Sequence, residues 1–230
     1  MNEVRNLRFS VLDKGEVSAL LLLPPRAASL LVLAHGAGAG MNHTFMSAIA
    51  NQLAEDHVAT FRYQFPYMEQ RRGVPDKQPL LTATVAAAVA TAAQLAPDLP
   101  LFAGGKSMGG RMSSLAASEQ KLEAVRGLIF LGFPLHPPKR PSIQRAQHLQ
   151  VVKMPMLFLQ GTRDDLADLT LLRPICDSLG PQTTLNVIEG ADHSFHVLKH
   201  SGKTDAQVLA ELSSTVRAWT NAHSGSQAKN

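Results

Sequence analysis

With 230 residues, 45% of them apolar and 17% charged, the chain has the make-up of one globular domain and excludes a disordered or fibrous protein. Its net charge of +4 is small for this length, and no run of lysine or arginine marks a nucleic-acid surface. One cysteine, Cys176, excludes an internal disulfide framework and fits a reducing compartment.

The opening "MNEVRNLRFS" lacks the pattern of a secretory leader. The apolar stretch from Ala19 to Ala34 is cut by Pro24, Pro25 and Arg26, so it reads as two strands and a turn rather than a membrane span. A cytoplasmic protein without membrane or nucleic-acid partners is the expectation. Residues 5–12 and 16–23 flank Asp13-Lys14-Gly15 as an antiparallel hairpin. Apolar runs of strand length follow at 29–35, 58–65, 99–105, 125–133, 154–161 and 183–190. Helical stretches alternate with them near 44–56, 81–96, 108–120 and 167–179. A last helix near 205–221 starts at Thr204, with Gln207 in capping-box spacing. Near-continuous apolar strands are covered on both faces, so the fold class is α/β, a mostly parallel sheet with helices on each side. Residues 1–222 read as a single domain and 223–230 as a polar tail.

The stretch "FAGGKSMGGR", Phe102 to Arg111, follows the third of these parallel strands. It is not a phosphate-binding P-loop: the position five before Gly105 is Pro100, which has no N–H to donate. Gly105-Lys106-Ser107-Met108-Gly109 instead fits G-x-S-x-G, a sharp strand-to-helix turn with an exposed serine at its apex. A serine nucleophile needs a base, and the base an orienting acid. After the strand 154–161 comes "GTRDD", with Asp164 and Asp165. After the strand 183–190 comes "GADHSF", with Asp192 and His193. The order serine, acid, histidine, each on a loop at the carboxyl end of its own strand, assigns Ser107 as nucleophile, Asp164 or Asp165 as acid and His193 as base. Backbone N–H groups of Ala37, in the glycine-rich "AHGAGAG", and of Met108, at a helix N-terminus, are the candidate oxyanion donors.

On "AHGAGAGMNHTFM", "FRYQFPYME", "GGKSMGGRMSS", "GFPLHPPKRP", "LFLQGTRDDLA" and "GADHSF", the chain resembles the α/β-hydrolase superfamily over nearly its whole length. Within it, the chain is similar to small, nearly cap-less hydrolases of dienelactone-hydrolase-like type. The resemblance implies an eight-stranded, mostly parallel sheet and a Ser–His–Asp triad. It favours Asp164, three residues after Gly161, over Asp165. True dienelactone hydrolases carry cysteine at the elbow, where this chain has Ser107, so the label says little about substrate.

The insertion 134–149 has four prolines in its first eight residues, which argues against a helical lid, and the loop 66–79 forms the other rim. His43, His136 and Arg111 are candidate rim residues toward substrate, with loop structure the stronger reading for the two histidines. His35 is expected to hold the glycine-rich loop by hydrogen bonding. No cysteine or carboxylate completes a metal set with His193, His196 and His200 at a recognised spacing, so neither metal nor cofactor is expected. The expected function is a serine hydrolase of a small ester, thioester or other activated acyl bond. The alternative is a non-catalytic scaffold of the same fold.

Overall fold

The computed structural model describes residues 3–225. Strands β1 (Glu3–Ser10) and β2 (Glu16–Leu23) form the expected hairpin, in register from Glu3 opposite Leu23 to Ser10 opposite Glu16. Six strands follow: β3 (Ser29–Ala34), β4 (Val58–Tyr63), β5 (Leu101–Lys106), β6 (Leu128–Leu131), β7 (Met156–Gly161) and β8 (Thr183–Ile188). They make one sheet in the order β1-β2-β4-β3-β5-β6-β7-β8. β2 runs antiparallel to β4, and every pair from β4 to β8 is parallel.

Alternation along each strand divides the core in two. Leu31 and Leu33 of β3 point to the face covered by helices α1 (Thr44–Glu55) and α6 (Asp205–Ala222), where Ile49, Leu53, Leu212 and Trp219 meet them. Leu30 and Val32 point to the opposite face, packed by α3 (Gln78–Leu95), α4 (Met108–Ser118) and α5 (Leu169–Leu179). Both faces of the central strands are therefore dry, which is why their sequences are apolar throughout. Helix α3 is long and apolar enough to cross a membrane by length and composition; Val85, Ala88 and Ala92 on it are buried in this core. Thr204 and Gln207 form the capping box that starts α6.

The chain moves from β3 outward to β4, then returns to the other side of β3 as β5. The carboxyl ends of β3 and β5 thus flank the switch point of the sheet, where a crevice opens in folds of this kind. Ala34 pairs with Gly105, so the glycine-rich loop after β3 lies beside the turn that carries Ser107.

Three expectations need correction. The strand expected over 125–133 is only Leu128–Leu131. Gly127 lies against the Trp219 ring and Gly132 has φ 71, and beyond the strand single backbone bonds run on, from the Arg126 N–H to the Leu101 carbonyl and from the Gly132 N–H to the Leu159 carbonyl. The loop 66–79 contains a four-residue helix, α2 (Pro66–Glu69), and α3 already starts at Gln78, because proline suits the first turn of a helix. The insertion 134–149 has no α-helix, as expected, but past its prolines it winds into a 3₁₀ segment, Gln144–Val151. The first residues of the polar tail are tied to the domain. His223 Nδ1 donates to the Trp219 carbonyl at 2.8 Å, and the Ser224 hydroxyl donates to the Thr220 carbonyl at 2.7 Å. Residues 226–230 of that tail lie outside the described residues.

Candidate active site

Ser107 stands between β5 and α4 with φ 51 and ψ −118, a left-handed backbone that a residue with a side chain adopts only under constraint. The constraint is the close crossing of β5, β3 and α4. A Cβ on Gly105 would lie 2.2 Å from the Ala34 carbonyl oxygen, and one on Gly109 would lie 2.4 Å from it. The two glycines of G-x-S-x-G are therefore required by backbone-on-backbone packing, and the serine is forced outward at the apex.

His193 reaches this apex from the loop after β8. Its Nε2 accepts from the Ser107 hydroxyl at 2.9 Å, and its Nδ1–H donates to Asp164 Oδ2 at 2.7 Å. Asp164 is 5% exposed, so its charge is compensated by protein groups rather than by water. The Leu166 N–H donates to Oδ1 at 2.8 Å, and the Gln160 amide donates to Oδ2. Asp165 is exposed on the outer side of the same turn. Asp192 accepts from the N–H groups of Ser194 and His196 and shapes the histidine loop from below. Of the three carboxylates at these strand ends, Asp164 is the one bonded to the imidazole.

The candidate oxyanion donors belong to Ala37, in the loop after β3, and to Met108, the first residue of α4. Neither donates to another backbone carbonyl among the described residues. The loop that presents Ala37 is held from several sides. The Gly38 N–H donates to the Tyr67 hydroxyl at 3.1 Å, the Met41 N–H to Gln64 Oε1 at 3.0 Å, and Arg62 to the Met41 carbonyl at 3.0 Å. His35 holds its base as expected: Nδ1–H donates to the Gly36 carbonyl at 2.7 Å and Nε2 accepts from the Phe65 N–H at 3.2 Å. Burial drives the His35 pKa down to about 4, so this ring stays neutral and keeps both bonds at physiological pH.

A cleft of about 340 Å³ opens over Ser107 and His193, walled by Ala37, His43, Phe45, Met46 and Leu166. Phe45 stacks on Phe195 at 5.7 Å between ring centroids, which makes one wall apolar. Of the expected rim residues, His43 lines the cleft and also caps α1 through the Phe45 N–H. His136 does not line it. That ring is 3% exposed, donates to the Pro137 carbonyl and accepts from the Asp168 N–H, a loop-holding role. Arg111 is likewise outside the lining, on the side of α4 that faces the 3₁₀ segment. Cys176 is buried in α5, and burial pushes its thiol up to about 12, which leaves it a small apolar group. His196 bonds Asp205 at 2.8 Å, and no group of three metal-ligating side chains occurs among the described residues.

Residues 27–221 match the family model described as an alpha/beta hydrolase domain. The chain belongs to the alpha/beta hydrolase family. Alpha/beta hydrolases of known structure share its architecture end to end. A dienelactone hydrolase from Anabaena variabilis is 20% identical over 97% of this chain and 99% of its own, with a TM-score of 0.76. A serine hydrolase without lid from Xanthomonas campestris is 21% identical over 94% of this chain and 95% of its own, with a TM-score of 0.72. An esterase domain from a Rhodothermus marinus protein is 14% identical over 97% and 100%, also at 0.72. At these identities the likeness is one of fold.

Two further side chains support this alpha/beta hydrolase site, and the first of them escaped sequence reasoning. Gln160 is fully buried, bonding Asp164 with its amide nitrogen and the Phe133 N–H, at 2.9 Å, with its oxygen. Its signal was present: one polar residue in the otherwise apolar run "MLFLQG". Lys106 is the other. Its ammonium lies near Asp164 and His193 under Gly132 and 5.7 Å from the Phe195 ring centroid. Burial drives its pKa down to about 8, against the opposing pull of Asp164 and Asp192. A lysine with a depressed pKa destabilises the fold while it is forced to be charged, and between about 8 and 10.5 the unfolded chain holds a proton that the folded chain has shed. Lys106→Met is therefore expected to stabilise the protein at neutral pH by roughly 1–3 kcal/mol. Thermal melts should show that advantage shrinking as pH rises through that window, and an advantage independent of pH would contradict the assignment.

Proposed function

We propose that the chain is a serine hydrolase that cleaves small esters or thioesters through a covalent acyl-enzyme. Ser107 attacks the carbonyl, His193 takes its proton and returns it to the leaving group, and Asp164 holds the imidazole in its tautomer and stabilises the imidazolium. The N–H groups of Ala37 and Met108 receive the oxyanion, the second reinforced by the N-terminus of α4. Water then releases the acyl group by the same path in reverse. The observation that carries this reading is the unbroken hydrogen-bond chain Ser107–His193–Asp164, opening at its serine end into a cleft. The lidless serine hydrolase, the esterase domain and the dienelactone hydrolase of like fold support it.

A fluorophosphonate probe tests it directly. Mass spectrometry should place a single adduct on Ser107, because a base-activated serine reacts far faster than an ordinary one. A folded sample that takes no label, or takes it at another serine, would favour the non-catalytic scaffold.

Substrate size follows from the missing lid. Burying a methylene is worth about 0.8 kcal/mol, so a closed acyl tunnel would raise kcat/KM roughly threefold or more with each added carbon. The cleft holds about 340 Å³ and is covered by no helix of the 134–149 insertion. Aryl acetates to butyrates are expected to be turned over best. A steady climb in kcat/KM from butyrate to decanoate would show a deeper acyl site than the cleft described.

A further inference from the structure

The region between α4 and the 3₁₀ segment Gln144–Val151 holds cationic side chains that the mechanism does not use. Residues i and i+3 share a face of an α-helix and eclipse one another on a 3₁₀ helix. Arg111 and Ser114 therefore form one edge of this contact, and Arg145 and His148 the edge opposite. One end is clamped: the Ser114 hydroxyl and His148 Nε2 are 2.7 Å apart. At the other end Arg111 and Arg145 lie within range of each other's charge. Neither α4 nor the stretch 134–151 contains a single Asp or Glu. None of the ion pairs among the described residues uses Arg111 or Arg145. Arg111 Nε is fully buried and has no hydrogen-bond partner.

We propose that Arg111 and Arg145 form a binding site for a compact oxyanion, a carboxylate or phosphate group. An orphaned buried donor and two like charges are both costly in isolation, and a planar guanidinium pair is the arrangement that grips such oxygens with two bonds each. Burial is the main cause that lowers the proton affinity of Arg111, and the charge of Arg145 adds to it. Burial and Arg111 together push His148 down to about 4, so at neutral pH the third group of the cluster is an uncharged imidazole rather than another cation. The Arg111 N–H donates to the Ser107 carbonyl at 3.1 Å, which places the site one helical turn along α4 from the nucleophile. An anionic group carried by the acyl substrate, several bonds from its carbonyl, or a free oxyanion that binds beside it, meets the same chemistry. The first of these sources rests on the hydrolase reading; the site itself does not.

The probe is inorganic phosphate, compared with chloride at matched ionic strength and followed by calorimetry and thermal melts. Wild type and the exposed-loop control Arg140→Gln should bind phosphate saturably. Arg145→Gln should weaken that binding at least tenfold, and Arg111→Gln should do the same where it folds. No saturable binding in wild type, or equal binding in Arg145→Gln and Arg140→Gln, overturns the site. Kinetics then separate the sources. If substrate carries the anion, phosphate competes with a carboxylate-bearing aryl ester, and Arg145→Gln lowers its kcat/KM relative to the neutral analogue at least tenfold. If the oxyanion is free, phosphate changes the hydrolysis of both esters alike. Phosphate binding in a protein that hydrolyses neither ester would keep the site and remove the hydrolase reading.

Discussion

Ser107→Ala is expected to remove ester hydrolysis and fluorophosphonate labelling together, with kcat falling by about 10⁶ if the whole nucleophilic route depends on this hydroxyl. The fold should survive. Ser107 donates to His193, its side chain makes no capping bond at the start of α4, and alanine carries the same Cβ, so the left-handed backbone is no more strained than before. Circular dichroism and melting temperature should stay near those of wild type while activity disappears. Residual activity above one per cent, with the fold intact, would place the nucleophile elsewhere.

Asp164→Asn should come next in size, with a loss in kcat of about 10⁴. The carboxylate accepts from three donors: the Leu166 N–H, the Gln160 amide and the His193 Nδ1–H. An asparagine oxygen can keep one or two of these, but its NH₂ must then face another donor or turn the imidazole to the wrong tautomer. Asp165→Asn, on the exposed side of the turn, should leave kcat within about twofold of wild type, as surface substitutions away from such networks do. Comparable losses in the two variants would contradict the assignment of the acid. Gln160→Leu offers a finer reading. It strips one donor from Oδ2 and frees the Phe133 N–H, so both stability and kcat should fall, by less than in Asp164→Asn.

The nucleophile, base and acid candidates were legible because each follows directly on an apolar run and the loops between are short. Local sequence alone placed them at strand ends, and parallel pairing then brought those ends to one edge of the sheet. The choice of Asp164 over its neighbour was different in kind. Two adjacent carboxylates are equivalent in composition and spacing, and only a resemblance separated them before the hydrogen bond did. Apart from His35, the supports of the glycine-rich loop were not legible at all. Tyr67, Gln64 and Arg62 touch residues more than twenty positions away, and such contacts leave no trace in periodicity. The short β6 was overread for a related reason. Val125 and Phe133 are apolar because they are buried, yet both lie outside the strand Leu128–Leu131, so burial alone extended the apolar run beyond the paired residues.

The position of Ser107 is set by main chain rather than by side chains. Gly104 faces the Ile129 carbonyl, while Gly105 and Gly109 face that of Ala34, at separations that leave no room even for a methyl group. The walls of the cleft belong to other pieces of the molecule: His43 and Phe45 come with the start of α1, and Leu166 with the turn after β7. Hardware and upholstery are therefore encoded separately. Randomising the wall residues should yield variants that differ in substrate choice yet share one reactive centre, whereas an alanine at any of the three glycines would be lost to selection before specificity could be sampled.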